Sequence, residues 1–113
     1  MAECIFCKIG AGDLPAKIVH RDADVVAIED LNPQAPTHLL VMPIAHHANV
    51  DGLATEDPAL TARLIELASK LGRGRGGNGG FRLVVNTGRD GGQTVDHVHV
   101  HVLAGRRMEW PPG

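Results

Sequence analysis

The sequence contains no tyrosine, one tryptophan and two phenylalanines in 113 residues. Its core must therefore be built mainly from aliphatic side chains. It also has no excess of charge of either sign, because 11 lysines and arginines are balanced by 13 aspartates and glutamates, for a formal net charge of -2. That balance gives no support to nucleic-acid coating or to adhesion on a membrane, although local groups can still bind a small anionic ligand.

The sequence lacks a hydrophobic run of membrane-spanning length. Its beginning, MAECIFCKIG, has neither the basic region nor the apolar stretch of a signal peptide. We therefore expect a cytoplasmic protein with no nucleic-acid or membrane partner. We also expect residues 1–113 to form a single domain, because a chain of this length builds one hydrophobic core. Any site should then be assembled from distant segments or across a dimer interface.

Cysteine is scarce, and the two that occur, Cys4 and Cys7, are separated by two residues. In a reducing compartment, this CxxC spacing is more often half of a metal site or a redox pair than a structural disulfide. A redox pair should follow a strand and open a βαβ unit, and only three residues precede Cys4. The spacing alone leaves the metal interpretation open.

The short apolar runs predict an α+β domain. IFCKIGAGDLP is typical of a short helical turn, and KIVH, VVAIED, HLLVMPI, FRLVVN and HVHVHVLAG are typical of strands. EDPALTARLIELASKLG predicts one long helix, with Asp57 as N-cap, Pro58 in the first position and Gly72 at its end. Strands on both sides of this helix favour a mainly antiparallel sheet. The expected core face of the helix consists of Leu60, Leu64, Leu67, Ala68 and Leu71.

After the predicted helix, GRGRGGNGG places Gly74, Gly76 and Gly79 in the spacing GxGxxG. A dinucleotide-binding loop with this spacing follows a strand and opens a helix, whereas this stretch follows a helix and precedes a strand. We therefore reject a dinucleotide site here and predict a flexible connection.

The stretch HVHVHVLAG alternates histidine with valine. On a strand, His97, His99 and His101 share one face, and the three valines share the other. Three such histidines suit a zinc site or nucleophilic and acid–base catalysis better than a merely solvated strand. The preceding NTGRDGGQT offers backbone N–H groups and the side chains of Gln93 and Thr94 as anion donors. An electrophilic phosphorus atom suits that combination well.

HVHVHVL resembles the motif of the histidine-triad family, and the whole chain is similar to its Hint branch, the purine nucleoside phosphoramidases. IFCKI, LPAKIV, DLNPQAPTHLLVMP, RLVVNTGRDGGQTV and WPPG resemble Hint segments in the same order, over nearly the whole chain. The resemblance implies a mainly antiparallel five-stranded sheet with one long and one short helix. It also implies a homodimer in which the two sheets become continuous.

The resemblance implies a purine nucleoside monophosphate site in each protomer. His99 matches the nucleophile that attacks the α-phosphorus, and His101 matches a phosphate-binding partner expected to carry positive charge. His38 matches a further active-site histidine, although a buried, hydrogen-bonded role is equally compatible with its sequence position. The triad also includes His97. The nucleotide-binding residues implied are Ile5, Phe6, Ile9, Asp30, Asn86, Gly92, Gln93, Thr94, His99 and His101.

Some of these residues have plain structural alternatives. Asp30, the match to the ribose-binding carboxylate, precedes Asn-Pro and suits a turn. Ile5, Phe6 and Ile9 suit either a base-binding wall or the core. Trp110 lies in the segment that reaches towards the partner's site in Hint proteins, and it equally suits anchoring of the tail.

This chain resembles some bacterial histidine-triad proteins that carry the CxxC and bind a structural zinc ion. Residue by residue, the resemblance implies the ligands Cys4, Cys7, His46 and His97, a complete Cys2His2 set. The adjacent His47 leaves the third ligand ambiguous.

The leading hypothesis is a nucleotide-binding hydrolase that cleaves the P–N bond of purine nucleoside phosphoramidates, and also aminoacyl-adenylates, through a nucleotidyl-histidine at His99. The alternatives are a diadenosine polyphosphate hydrolase and a nucleotide-binding or scaffold protein with incidental catalysis.

Overall fold

A five-stranded antiparallel sheet organises residues 4–113, the part of the chain that this computed structural model describes. The strands are β1 (Ile18–Arg21), β2 (Val25–Glu29), β3 (Thr37–Pro43), β4 (Phe81–Val84) and β5 (Val100–Ala104). Their order in the sheet is β1-β2-β3-β5-β4, and every neighbouring pair is antiparallel. The predicted α+β class and five-stranded antiparallel sheet are confirmed.

Within residues 4–113, three helices accompany the sheet, one more than the sequence predicted. They are α1 (Ile5–Ala11), α2 (Val50–Glu56) and α3 (Pro58–Gly76), and a 3-10 turn follows at Gly77–Gly79. The helix α2 is not among the predicted elements, because VDG at residues 50–52 has the composition of a turn. The Asn49 side chain accepts from the N–H of Gly52 at 2.9 Å and caps a helix there. None of the helices within residues 4–113 is long and apolar enough to cross a membrane.

The sheet has a different hydrophobic cluster on each face. One cluster joins the sheet to α2 and α3 through Leu53, Leu64, Leu67 and Ala68. The other, under α1, contains Phe6 and Ile9 together with side chains of β2 and β3. Both are mainly aliphatic, as the scarcity of aromatic residues predicts. The cluster under α1 borders the segment that carries His97 and His99, since Phe6 contacts both of these rings.

The predicted end of the long helix at Gly72 is wrong, since α3 continues to Gly76. Gly72 is buried where the ring of Phe81 packs directly against the helix backbone, and a Cβ on Gly72 would lie 2.5 Å from that ring. This glycine therefore serves a close approach inside the helix rather than its termination. The flexible connection predicted for GRGRGGNGG, residues 72–80, is also wrong, because α3 continues to Gly76 and the 3-10 turn follows at Gly77–Gly79.

The last strand begins at Val100, so His97 precedes it instead of opening it. The N–H of Val98 donates to the carbonyl of His47 at 2.7 Å, outside the sheet ladder. The alternation nevertheless persists through this segment. The valines lie in the cluster under α3, and Phe6 of α1 contacts the rings of His97 and His99 edge-on. The predicted segregation of histidines and valines to opposite faces is thus confirmed.

Candidate active site and metal centre

The first histidine of the triad faces two cysteines. Cys4 caps the N-terminus of α1 and Cys7 lies one turn later, so that both sulfurs point to the same side. The Nδ1 atom of His97 is 3.4 Å from Sγ of Cys4 and 3.5 Å from Sγ of Cys7. His46 places its Nδ1 3.2 Å from Sγ of Cys7. One ligand atom from each of these four residues lies within 4.8 Å of the others.

These four residues fit a tetrahedral metal ion. Usual zinc bond lengths place a sulfur and a nitrogen ligand about 3.5 Å apart, close to the distances observed. His97 donates its Nε2 proton to the carbonyl of Pro43 at 2.8 Å, which leaves Nδ1 unprotonated and directed at the sulfurs. Burial beside Cys4 raises the pKa of the Cys7 thiol, a cost that a bound cation removes. The four ligand atoms that lie together include one from His46 and none from His47, so His46 is the histidine that belongs to the cluster.

The middle histidine has a ring fixed by the first. Nδ1 of His99 donates to the backbone carbonyl of His97 at 2.8 Å. A carbonyl oxygen can only accept, so the proton of neutral His99 lies on Nδ1 and its Nε2 atom carries the lone pair. The ring is 6% exposed and borders a cavity. The arrangement presents an unprotonated imidazole nitrogen suited to nucleophilic attack.

The third histidine is part of a hydrogen-bonded relay that begins in the backbone. The N–H of Gln34 donates to Nδ1 of His38 at 3.0 Å. Neutral His38 must then carry its proton on Nε2, which lies 2.9 Å from Nδ1 of His101 and 3.4 Å from Oδ2 of Asp30. The relay donates to Nδ1 of His101 and leaves the Nε2 proton of that residue for a ligand. His38 is therefore buried and hydrogen-bonded, as one alternative predicts, and its contact with His101 leaves the active-site role a prediction.

The positive charge expected on His101 is wrong for the free protein. Burial, with the neighbouring rings of His99 and His38, lowers the pKa of His101 to about 4. Burial also lowers the pKa of His38, against the pull of Asp30. Clustered imidazoles disfavour one another's charged forms, which sequence spacing alone could not weigh against burial. Near neutral pH, His101 offers a neutral N–H donor.

Asp30, His38 and His101 also bring three potential ligand atoms within 4.8 Å of one another. A metal ion would need an unprotonated Nε2 on His38. The N–H of Gln34 occupies Nδ1 of the same ring and so forces the proton onto Nε2. The trio is therefore suited to hydrogen bonding and unsuited to metal binding.

A cavity of about 250 Å³ opens beside His99 and His101. Its apolar wall comes from α1, β2 and β3, and its polar rim from the ends of β2 and β5. The lining residues are Ile5, Phe6, Ile9, Ile28, Glu29, Asp30, Leu31, Leu40, Thr94, Val95, His99 and His101. One wall is apolar, and the other end holds the imidazoles of His99 and His101.

A family model described as HIT domain matches residues 11–108. The chain is 38% identical over 103 residues to Protein HitA of Neisseria gonorrhoeae, a match that covers 91% of this chain and 96% of that protein. It is 42% identical over 111 residues to an uncharacterized HIT-like protein of Synechococcus elongatus, with 98% and 97% covered. The chain belongs to the HIT family.

The structure of this HIT protein is similar to the crystal structure of a HIT family hydrolase from Legionella pneumophila. The TM-score is 0.93 at 45% sequence identity, with 98% of this chain and 100% of that chain covered. The suggested family membership is thus confirmed, while assignment to the Hint branch stays a prediction.

Most of the predicted nucleotide-binding residues of the HIT protein line the cavity. The exceptions lie in the loop before β5, where Asn86, Gly92 and Gln93 are not among the lining residues. Thr94 lines the cavity. Asn86 instead donates to the carbonyl of Gly91 at 2.7 Å, and the positive φ of Gly92 shapes the adjoining turn. Gln93 donates to the carbonyls of Ala48 and Val95 at 2.6 and 3.0 Å. Contacts of Asn86, Gly92 and Gln93 with a nucleotide stay predictions, and their observed bonds order the loop.

Asp30 has the turn role that the sequence allowed and also lies at the cavity, while its binding of ribose stays a prediction. Its Oδ1 accepts from the N–H of Asn32 at 2.8 Å and stabilises the turn after β2, while the residue also lines the cavity. Leu31, which the sequence analysis did not select, lies on the same rim and is 99% exposed. Its position directly after Asp30 was the only available signal.

The tail is held by Arg82 and not by Trp110. The Arg82 guanidinium donates to the carbonyls of Glu109 and Pro112 at 3.0 and 3.2 Å. Trp110 is 86% exposed, so it does not anchor the tail within its own chain. Its predicted reach towards a partner protomer remains a prediction.

Proposed function

We propose that this HIT protein is a nucleotide-binding hydrolase of the Hint type, which cleaves the P–N bond of purine nucleoside phosphoramidates and also hydrolyses aminoacyl-adenylates. The observation that carries the proposal is the fixed tautomer of His99. Its Nδ1 proton is held by the carbonyl of His97 at 2.8 Å, so the lone pair of Nε2 is available in a ring that borders the cavity.

In the proposed first step, Nε2 of His99 attacks the α-phosphorus and an N–P bond forms. The bond from phosphorus to the amine breaks, and its electron pair leaves with the nitrogen. The departing amine takes up a proton from water, while the Nε2–H of His101 donates to a phosphoryl oxygen and stabilises its charge. In the second step, water attacks the phosphorus, the bond to His99 breaks, and the nucleoside monophosphate is released.

We propose that the substrate lies with its base against α1 and its phosphate at the imidazoles. The apolar wall of Ile5, Phe6 and Ile9 accepts either purine. Asp30 has acceptor oxygens at the rim, which suit the ribose hydroxyls. Thr94 and the Nε2–H of His101 supply donors for the phosphoryl oxygens, and the loop ordered by Asn86, Gly92 and Gln93 can add further ones.

We propose that zinc occupies the cluster of Cys4, Cys7, His46 and His97 as a structural ion. When bound, it would hold α1 to the segment before β5. Because α1 also carries the apolar wall of the cavity, this cluster stabilises the substrate site without contacting substrate.

We further propose a homodimer with a sheet continued through β4. Both β1 and β4 are edge strands, but a bulge between Ile18 and His20 interrupts β1, whereas β4 pairs regularly with β5. The regular edge suits extension by a second copy, with Trp110 directed towards the partner's site.

A steady-state assay tests the proposed reaction. The wild type is given adenosine 5′-phosphoramidate or a diadenosine polyphosphate, with His99→Ala as the control. We expect turnover of the phosphoramidate, little of the dinucleotide, and a loss of about 10³-fold or more in the variant. Preference for the dinucleotide would favour the alternative hydrolase, and turnover of neither would favour a binding or scaffold role.

A further inference from the structure

The loop from Asp30 to Pro36, between β2 and β3, is clasped by the residues that follow β5. Nε of Arg106 donates to the backbone carbonyl of Gln34 at 2.9 Å. Beside it, Gly105 adopts a φ of 93° and approaches Pro36 so closely that a Cβ would lie 2.8 Å from the proline ring. A side-chain hydrogen bond and a close backbone contact therefore hold the loop at two points.

The clasped residue is the one that begins the relay. The N–H of Gln34 donates to Nδ1 of His38 at 3.0 Å, and Nε2 of His38 lies 2.9 Å from Nδ1 of His101. Within the described residues, the N–H of Gln34 is the only donor that the structure directs at Nδ1 of His38. If it moved away, His38 could place its proton on either nitrogen, and His101 would lose a defined partner.

We propose that Arg106 is a positioning residue for the reaction: through its Nε–H it holds Gln34 so that His38 keeps its proton on Nε2 and His101 offers Nε2–H to the substrate. The effect on turnover rests on the proposed function, whereas the effect on the tautomer does not. Arg106 is exposed and absent from the lining of the cavity, so it acts through Gln34 and not by touching substrate.

Two substitutions of Arg106 distinguish the effect of its Nε–H hydrogen bond from the effect of its charge. Glutamine places an N–H-bearing nitrogen at the ε position, as arginine does, but it is uncharged. Methionine reaches the same ε position as glutamine but carries no hydrogen-bond donor there. Arg106→Gln should therefore preserve the clasp and Arg106→Met should break it. Arg107→Met is the matched control, because Arg107 is the adjacent exposed arginine and takes part only through its backbone carbonyl, which accepts from Nη1 of Arg106 at 3.3 Å and is kept in the variant.

The first measurement is the tautomer of His38 in the substrate-free protein, observed through its ring nitrogen signals in 15N NMR. We expect the Nε2–H form in the wild type, Arg106→Gln and Arg107→Met, and a mixture of both tautomers in Arg106→Met. An unchanged tautomer in Arg106→Met would overturn the proposal, even if the protein were an active phosphoramidase. The measurement gives its answer even if the protein hydrolyses no phosphoramidate.

The second measurement is the separation of kcat from KM with adenosine 5′-phosphoramidate. We expect kcat of Arg106→Met to fall about three- to tenfold, with KM changed by less than about twofold, because one hydrogen bond of the relay is lost. Arg106→Gln should recover most of kcat. An equal fall in Arg106→Met and Arg107→Met, or no recovery in Arg106→Gln, would show that charge and not the Nε–H matters, and would overturn the proposal.

Discussion

The two ends of the histidine triad differ in the hydrogen bonds that fix their imidazole rings. The rings compared are His97 at one end and, at the other, His38, which contacts His101. At the cysteine end, His97 gives its Nε2 proton to the carbonyl of Pro43 and presents a bare Nδ1 to two sulfurs. At the relay end, His38 receives the N–H of Gln34 at Nδ1 and must present a protonated Nε2. Both ends bring at least three ligand-type atoms within 4.8 Å. Only the first end leaves them all free to bind a metal ion.

This comparison shows that the partner bound to one ring nitrogen of a histidine decides what the other ring nitrogen can do. A carbonyl on one ring nitrogen of His97 or His99 leaves a lone pair on the other, which suits a metal ligand or a nucleophile. A backbone N–H makes the other nitrogen a donor, as for His38. The three imidazoles of the triad are therefore suited to different tasks: His97 to metal binding, His99 to nucleophilic attack and His101 to hydrogen-bond donation.

The largest expected effect is loss of the metal from the cysteine end. His46→Ala removes a ligand, so it should release the zinc and lower the free energy of unfolding by about 4 kcal/mol, the effect of an ion present at about a thousand times its Kd. His47→Ala is the matched control and should keep both the metal and the stability. Elemental analysis and denaturant unfolding measure the two quantities.

The assignment of the cysteine end would fail if both variants retained zinc equally. It would also fail if the wild type, purified without added metal, held less than about a tenth of an atom per chain.

The next effect concerns the relay end. His101→Asn removes the Nε2–H donor while keeping a polar group near the site of Nδ1, so kcat for the phosphoramidate should fall about 100-fold. The zinc content should stay unchanged, because His101 lies outside the cysteine cluster. Steady-state kinetics and elemental analysis on the same sample test this. Loss of zinc in this variant would erase the distinction between the ends.

The smallest expected effect is a pH dependence of the free energy of unfolding that arises from the relay histidines, His38 and His101. The pKa of His101 is lowered to about 4, and burial lowers that of His38, from an unfolded value of about 6.5. Between about pH 6.5 and 4, the unfolded chain therefore binds more protons than the folded chain, and the free energy of unfolding falls as the pH is lowered.

In His101→Asn, one of these groups is absent, so less stability should be lost between pH 7 and pH 5 than in the wild type. Denaturant unfolding at both pH values measures the difference. Any acid release of the metal occurs in both the wild type and His101→Asn, so it cancels in the comparison. His47→Asn controls for removal of an imidazole outside the relay. Parallel losses in His101→Asn and the wild type would contradict the lowered pKa.

Periodicity and turn residues predicted the sheet, because five β-rich runs are separated by clear breaks. They failed where tertiary packing outweighs local preference. Gly72 has the position of a helix end, but Phe81 needs a helix without a side chain there. The helix α2 depends on a cap from Asn49 in a stretch with a turn signature.

The positions of the site residues were predictable from their resemblance to a known family, but their protonation was not. Alternation places His97, His99 and His101 on one face, yet it says nothing of the carbonyl of Pro43 or the N–H of Gln34. The neutral state of His101 depends on burial by distant segments. The choice of His46 over His47 depends on which ring reaches Cys7. The partners of His97 and His46 come from segments far away in sequence, and Gln34 is close to His38 but far from His101, on which the relay acts.

The nucleophilic role of His99 is tested most directly by trapping the covalent intermediate. The protein is mixed with adenosine 5′-phosphoramidate, quenched in alkali within the first turnover, digested and analysed by mass spectrometry. The structure predicts an adenylyl group on His99 and no adduct in His99→Ala. An adduct on His101 or another residue, or equal labelling of wild type and His99→Ala, would contradict the assignment of His99 as the nucleophile.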